Sequence, residues 1–172
     1  MSLRVYNTLT HKKEPFKTIE DKKVRLYVCG PTVYDNAHVG HAMSTLVFDI
    51  IRRYLEYRGY QVQHVMNYTD VDDKIIRRAN ALGKDPQQLA QTYIDKYDQH
   101  LSDLNILPAT FKPRATGEMQ NIIDFVQDLI EKGFAYVVDG DVYYRVRKFA
   151  PYGKLSHRNV DEMRSGDRKS VV

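Results

Sequence analysis

The chain has 172 residues, enough for one sizeable hydrophobic core with a small appendage. Its 42% apolar and 28% charged residues match a globular domain, and no apolar run approaches the ~18 residues of a membrane-spanning helix. A net charge of +4 suits a polyanionic partner without demanding one. The single cysteine excludes an internal disulfide framework and points to a reducing, cytoplasmic setting.

Leu3-Arg4-Val5-Tyr6 reads as a short strand ended by Asn7-Thr8, and the lysine-rich stretch 11–23 reads as a connection. Val24–Val28 is an apolar run of strand type. After a loop containing Gly30 and Pro31, Met43, Leu46, Val47, Ile50, Ile51, Tyr54 and Leu55 recur at helical spacing, and Gly59 stops the pattern. Gln61–Tyr68 reads as a second strand. Strand, helix and strand within about 45 residues make a βαβ unit with a right-handed crossover and a parallel sheet. The fold class expected is therefore α/β, with a Rossmann-like nucleotide-binding core.

Thr69 and Asp72 fit a capping box for a helix over Asp73–Leu82. Asp70, Asp72 and Asp73 offer a second reading, a site for Mg²⁺ or for a substrate ammonium. Pro86 opens a further helix whose Leu89, Tyr93, Tyr97, Leu101 and Leu104 form a core stripe, ended by Ile106-Leu107-Pro108. Glu118–Lys132 is amphipathic and ends at Gly133. Ala135–Val138, Asp139-Gly140 and Asp141–Val146 read as a β-hairpin, and from Phe149 to Arg164–Ser170 the chain is polar and loop-like.

The candidate chemistry lies between the first core strand and its helix. Ligands of open α/β sheets bind beyond the carboxyl ends of strands, and a helix N-terminus presents unpaired N–H groups to phosphate. His38 and His41 stand three apart in the first helical turn and can each donate to a phosphate oxygen. Gly40 between them would let a flat base approach the backbone. The alternative is that His38 caps the helix and His41 is an ordinary surface histidine. Cys29 taken alone is a small buried hydrophobe, because a zinc site needs three or four ligands at recognisable spacing.

The string Val28-Cys29-Gly30-Pro31-Thr32-Val33-Tyr34-Asp35, followed by His38-Val39-Gly40-His41, resembles the HIGH signature of class I aminoacyl-tRNA synthetases in its cysteinyl-tRNA synthetase form. Tyr6–Thr10, Met66–Ile75, Pro113–Thr116 and Tyr152–Ser156 are similar to that family in matching order, so the resemblance covers essentially the whole chain.

The resemblance implies ATP-dependent activation of L-cysteine and transfer to tRNA(Cys), with ATP accompanied by Mg²⁺, no membrane, and a monomeric parent enzyme. It gives His38 and His41 catalytic roles, Thr32 and Gly40 to ATP with them, and Gly30, Thr69 and Asp70 to the cysteine pocket. Cys29 becomes one of four Zn²⁺ ligands, the others lying beyond residue 172. Residues 1–107 would form the first half of the catalytic domain and 108–172 the start of its connective insertion. The lysine loop of the second half is absent, and Arg168-Lys169-Ser170 does not replace it. The expectation is thus a part of a longer enzyme, inactive alone, with exposed apolar surface. Two other readings stay open: a cysteine ligase acting on an amino sugar, as in mycothiol synthesis, and a non-catalytic nucleotide- or RNA-binding paralogue.

Overall fold

The structure is a computed structural model that describes residues 3–162; the polar run expected over Arg164–Ser170 lies outside them. The chain divides into two compact units, one formed by residues up to Lys17 together with those from Asn121 onward, the other by Thr18–Gln120. The boundary expected at 107/108 lies inside the second unit.

That second unit is built on the expected βαβ. Strand β3 (Lys23–Val28) pairs in parallel with β4 (Gln61–Met66), Val24 opposite Val62 and Val28 opposite Met66, and α1 (Val39–Tyr57) connects them. Helix α1 closes at Gly59, whose φ of +82 is the left-handed value that glycine tolerates. Beyond the expected elements, Phe111–Ala115 runs alongside β4: Met66 N–H donates to the Phe111 carbonyl at 3.0 Å and Tyr68 N–H to that of Pro113 at 2.8 Å.

Helix α2 (Asp73–Leu82) begins as expected, with a different cap. Asp72 is the N-cap, accepting from Lys74 N–H at 2.8 Å. Thr69 lies before the helix start, its amide and carbonyl paired with Pro31 and Val33. Helix α3 (Pro86–Asp103) buries Leu89, Ala90, Ile94, Tyr97 and Leu101 against Val33, Met66, Tyr68, Ile75, Ala79 and Ile106, which makes the core of this unit. Of its tyrosines, Tyr97 belongs to that core, its ring meeting that of Tyr68 edge to face at 6.1 Å, and Tyr93 packs against it partly buried.

Apart from Leu55, the apolar stripe of α1 is outward. Met43 is 66% exposed and Ile50 57%, whereas Thr45, Asp49 and Leu55 are buried. The buried side is polar but satisfied. Asp49 accepts from Arg53 at 2.6 Å and from Leu107 N–H at 3.0 Å, while Arg52 donates to the Pro108 carbonyl at 2.7 Å. The exposed apolar surface expected from the sequence is therefore present on this helix.

The other unit contains the antiparallel pair β1 (Arg4–Asn7) and β2 (Lys12–Pro15), so part of the stretch read as a connection is strand. Most of α4 (Met119–Glu131) and the hairpin β5 (Ala135–Val138)–β6 (Asp141–Tyr144) complete it, with short 3-10 turns at Val146–Lys148 and Val160–Glu162. The hairpin turns on Asp139 and Gly140, both at positive φ, the geometry that matches strand twist.

One buried group stands out in the Thr18–Gln120 unit. His64 of β4 is 4% exposed, and neither ring nitrogen has a hydrogen-bond partner among the described residues. Burial pushes its imidazole below the ordinary range; Arg52 of α1 adds to this and Asp49 of α1 opposes it. With the folded value depressed, the unfolded chain binds more protons below about pH 6.5, so stability is full above that pH and is lost on acidification. The unfolding midpoint in urea should fall between pH 7 and pH 5. His64→Leu should flatten that fall while leaving stability at pH 7.5 within about 1 kcal/mol of the parent, because it removes both unmet ring nitrogens at similar volume. Equal pH slopes for the two proteins would contradict this.

Candidate functional site

Past Val28 the chain leaves β3 and crosses the end of β4. Gly30 makes the crossing possible: a Cβ there would sit well inside the van der Waals radius of the Asn67 carbonyl oxygen. The Asn67 side-chain oxygen accepts from Gly30 N–H and from the Tyr27 hydroxyl, both at 2.9 Å. Thr32 then bridges Thr69, with Thr69 N–H donating to Pro31 at 3.1 Å and Val33 N–H to Thr69 at 3.2 Å. Thr69 thus backs the loop, while Val33 anchors it in the core.

The helix that follows is capped by imidazoles. His38 is the N-cap, and its Nδ1 accepts from Gly40 N–H at 3.1 Å; the His41 Nδ1 accepts in return from His38 N–H at 3.3 Å. A capping box normally uses Ser or Thr with Glu or Gln. Here two neutral aromatic acceptors do the same work. An Nδ1 that accepts carries no proton, so the ring proton resides on Nε2. Each histidine therefore keeps one Nε2–H donor uncommitted among the described residues, and the ring centroids lie 4.0 Å apart. Burial pushes the His41 imidazole below its ordinary value, which favours the neutral ring. The capping and phosphate-donor readings are thus compatible: capping spends Nδ1 and leaves Nε2–H. Gly40 has a local reason to be glycine, since its Cβ would lie 2.9 Å from His38 Cε1.

Behind the histidines runs a buried polar chain. The Thr45 hydroxyl donates to the His41 carbonyl at 2.9 Å and lies 2.9 Å from the Tyr97 hydroxyl. With the Thr45 proton committed, Tyr97 is the donor in that second bond. Burial raises the Tyr97 phenol above its ordinary value, so it stays protonated.

A cavity of about 250 Å³ lies here, lined by Cys29, Gly30, Pro31, Thr32, His41, Ser44, Thr45 and Tyr97 together with Val28. Cys29, Gly30, Thr32 and His41, all expected at the site, meet in it, and the His38 ring lies next to that of His41. Asp70 does not join them. Its carboxylate accepts from Thr116 N–H at 2.9 Å and from the Thr116 hydroxyl at 2.5 Å, beside a separate depression of about 410 Å³ that also contains Asp85, Gln88 and Arg114.

Cys29 is exposed, not a buried hydrophobe; its sulfur lies 3.7 Å from the Gly30 carbonyl oxygen. Among the described residues no three His, Cys, Asp or Glu side chains cluster as a metal site. Of the aspartates after β4, Asp70 is engaged by Thr116 and Asp72 by the α2 cap. Ser44, Thr45, Asn67 and Tyr97 were not anticipated as site residues. Tyr97 was hidden by its place in an apolar helical stripe, and Asn67 by lying at the end of a strand.

Comparison with known proteins decides the family. The family model described as the tRNA synthetases class I (C) catalytic domain matches residues 15–172. The chain belongs to this family. The cysteine–tRNA ligase of Anoxybacillus flavithermus is 56% identical over 171 residues, covering 99% of this chain and 37% of that protein. That of Lacticaseibacillus casei is 56% identical over 170 residues, covering 99% and 36%. The chain therefore spans a little over a third of the length of these relatives. Among solved structures, the Mycobacterium tuberculosis methionyl-tRNA synthetase in complex with methionyl-adenylate superposes with a TM-score of 0.57 at 20% identity, covering 70% of this chain and 28% of that one. The LeuRS of an Agrobacterium radiobacter K84 ternary complex also gives 0.57, at 24% identity, covering 64% and 15%. These two establish the class I synthetase fold, the α/β architecture expected from the βαβ unit.

The hydroxyl chain behind the histidines carries a measurable asymmetry. Thr45→Val leaves the buried Tyr97 hydroxyl without its acceptor and should destabilise by about 1–3 kcal/mol, whereas Tyr97→Phe removes a single donor and should cost about 1 kcal/mol. The double variant should cost less than the two singles together, a coupling that a double-mutant cycle in urea reads directly. Simple additivity would mean that the two hydroxyls do not interact.

Proposed function

We propose that this chain carries the nucleotide end of a cysteine–tRNA ligase, which activates L-cysteine with ATP to cysteinyl-adenylate and passes the cysteinyl group to tRNA(Cys). The supporting observation is the pair of neutral Nε2–H donors, His38 and His41, held at a helix N-terminus beside a cavity that exposes Cys29, in a chain 56% identical to ligases of that name. That identity favours the tRNA ligase over an amino-sugar ligase or a silent paralogue.

In this mechanism the α-phosphate lies against the start of α1. As the cysteine carboxylate attacks phosphorus and pyrophosphate leaves, charge grows on the non-bridging oxygens, and the two imidazoles donate to them without reorganising. Neutral rings suit this task, since each delivers a hydrogen bond while keeping its cap. No side chain need act as nucleophile, because in-line attack requires orientation and charge stabilisation. Thr32 and Gly40 flank the ATP, accompanied by Mg²⁺, and Gly30 offers backbone to the amino acid. Thr69 acts from behind by fixing Thr32. Asp70 acts through the Pro113–Thr116 segment that it holds.

Cys29 fits one place in a zinc shell: it is an exposed thiol, with no stronger partner among the described residues than a backbone carbonyl, and it lines the cavity. Among the described residues no three His, Cys, Asp or Glu side chains cluster around a metal position, so the rest of the shell is proposed to come from outside the 172 residues. Such a metal, when bound, would take the substrate thiolate as a ligand and so separate cysteine from serine, whose hydroxyl is harder and far less acidic. We also propose a cytoplasmic location, a monomeric parent, and a catalytic domain whose first half covers 1–107, with its connective insertion starting in 108–172.

Cysteine-dependent ATP–pyrophosphate exchange, with serine as control, tests the proposal on this chain and on any longer product of its reading frame. Exchange is expected with cysteine alone and from the longer product. His38→Ala and His41→Ala should each lower it by about 10²-fold, the usual cost of one oxyanion donor. Absence of cysteine-dependent exchange from every product would remove the ligase reading.

A further inference from the structure

The parallel ladder of β3 and β4 stops at Val28 opposite Met66 and resumes in the single bridge between Thr32 and Thr69. Between these points the chain after β3 has Cys29, Gly30 and Pro31, whereas the chain after β4 has only Asn67 and Tyr68. One surplus residue, as in a β-bulge, pushes a strand out of its ladder and re-aims its side chains. Here all three residues of the longer side line the cavity.

A surplus residue disrupts the ladder, so its backbone donors need other acceptors. Pro31 carries no N–H, and that of Gly30 donates to the Asn67 side chain at 2.9 Å instead of to a strand carbonyl. A backbone amide only donates, so the atom of Asn67 that meets it is the carboxamide oxygen. The same oxygen accepts from the Tyr27 hydroxyl at 2.9 Å. That leaves the carboxamide nitrogen on the side of the Thr69 hydroxyl, a long contact of 3.5 Å.

Asn67 itself is firmly held. Met66 and Tyr68 on either side are buried, and their N–H groups donate to Phe111 and Pro113. The Tyr68 hydroxyl donates to Asp98 at 2.6 Å. Because a peptide unit is planar, fixing the Gly30 N–H also fixes the Cys29 carbonyl and the course of the chain on both sides. Asn67 is not among the residues lining the cavity, so it acts from behind it.

We infer that Asn67 is a positioning residue for the amino-acid side of the site: its carboxamide replaces the ladder bond missing at the bulge and clasps the Cys29–Gly30 peptide. That this loop meets the amino acid rests on the proposed ligase function. His38 and His41, on the phosphate side, are held by their own reciprocal cap. Loss of the carboxamide therefore weakens cysteine binding and spares ATP.

Amide hydrogen exchange at Gly30, read by NMR on this chain, compares the parent with Asn67→Leu and Asn67→Asp. Asn67→Leu keeps the volume without an acceptor and should speed Gly30 amide exchange about tenfold, the worth of one hydrogen bond. Asn67→Asp keeps an oxygen toward Gly30 and should hold the rate within about threefold of the parent. On the longer product of the reading frame, Asn67→Leu should raise the KM for cysteine in pyrophosphate exchange about tenfold, while the KM for ATP moves less than about twofold. Asn67→Ala takes its place if Asn67→Leu does not fold. Unchanged Gly30 amide exchange, an unchanged KM for cysteine, or two KM values that rise together would each overturn the role. If Gly30 loosens as expected but no product gives cysteine-dependent pyrophosphate exchange, the clasp stands and the ligase function falls instead.

Discussion

Two backbone amides at the start of α1 have no partner within the helix, and imidazole nitrogens take both of them. That reciprocal cap is the constraint on which the site depends. It fixes the tautomer of His38 and His41, and the tautomer fixes which nitrogen is left to donate. A Ser/Glu box would satisfy the same amides and leave no pair of outward N–H groups. The rest of the local structure supports this pair. Gly40 leaves space for the His38 ring, Thr45 ties the His41 carbonyl to Tyr97 on α3, and Gly30 lets the preceding loop cross β4 close enough to bring Cys29 alongside.

The neutrality of the histidines is part of the same constraint. Protonating His41 would turn its Nδ1 from acceptor to donor and set it against the His38 N–H. Burial opposes that change by disfavouring the charged ring. Acid thus acts on this unit at two places, the His41 cap and the unpartnered His64 ring between β4 and α1. The latter lies near Asp49 and Arg52, on the polar inner side of a helix whose apolar stripe is exposed.

The βαβ core was legible because its signals are local. β3, α1, β4, α2 and α3 follow from apolar periodicity, Gly59, the Asp-rich start of α2 and Pro86, and the Asp139-Gly140 turn follows from residues that tolerate positive φ. What sequence pattern missed was pairing and direction. Lys12–Pro15 lacks an apolar alternation and becomes strand only by pairing with β1. Phe111–Ala115 gains its extended form from β4. The apolar stripe on α1 was correctly located, yet periodicity alone does not say what covers it. In the site, the HIGH-like histidines and Cys29 were visible in the motif. Thr45 and Tyr97 were not, because a hydroxyl chain between two helices 52 residues apart has no sequence spacing to betray it. Asp70 was conspicuous as a carboxylate near the motif, but its bonds to Thr116 are a matter of tertiary placement.

The most direct test of the central claim is a long-range ¹H–¹⁵N correlation spectrum of the histidine rings at pH 7.5. The reciprocal cap predicts that His38 and His41 both show an unprotonated Nδ1 and a protonated Nε2. A protonated Nδ1 on either ring, or an imidazolium at that pH, would contradict it, and the pair of neutral donors aimed at phosphate would have no basis.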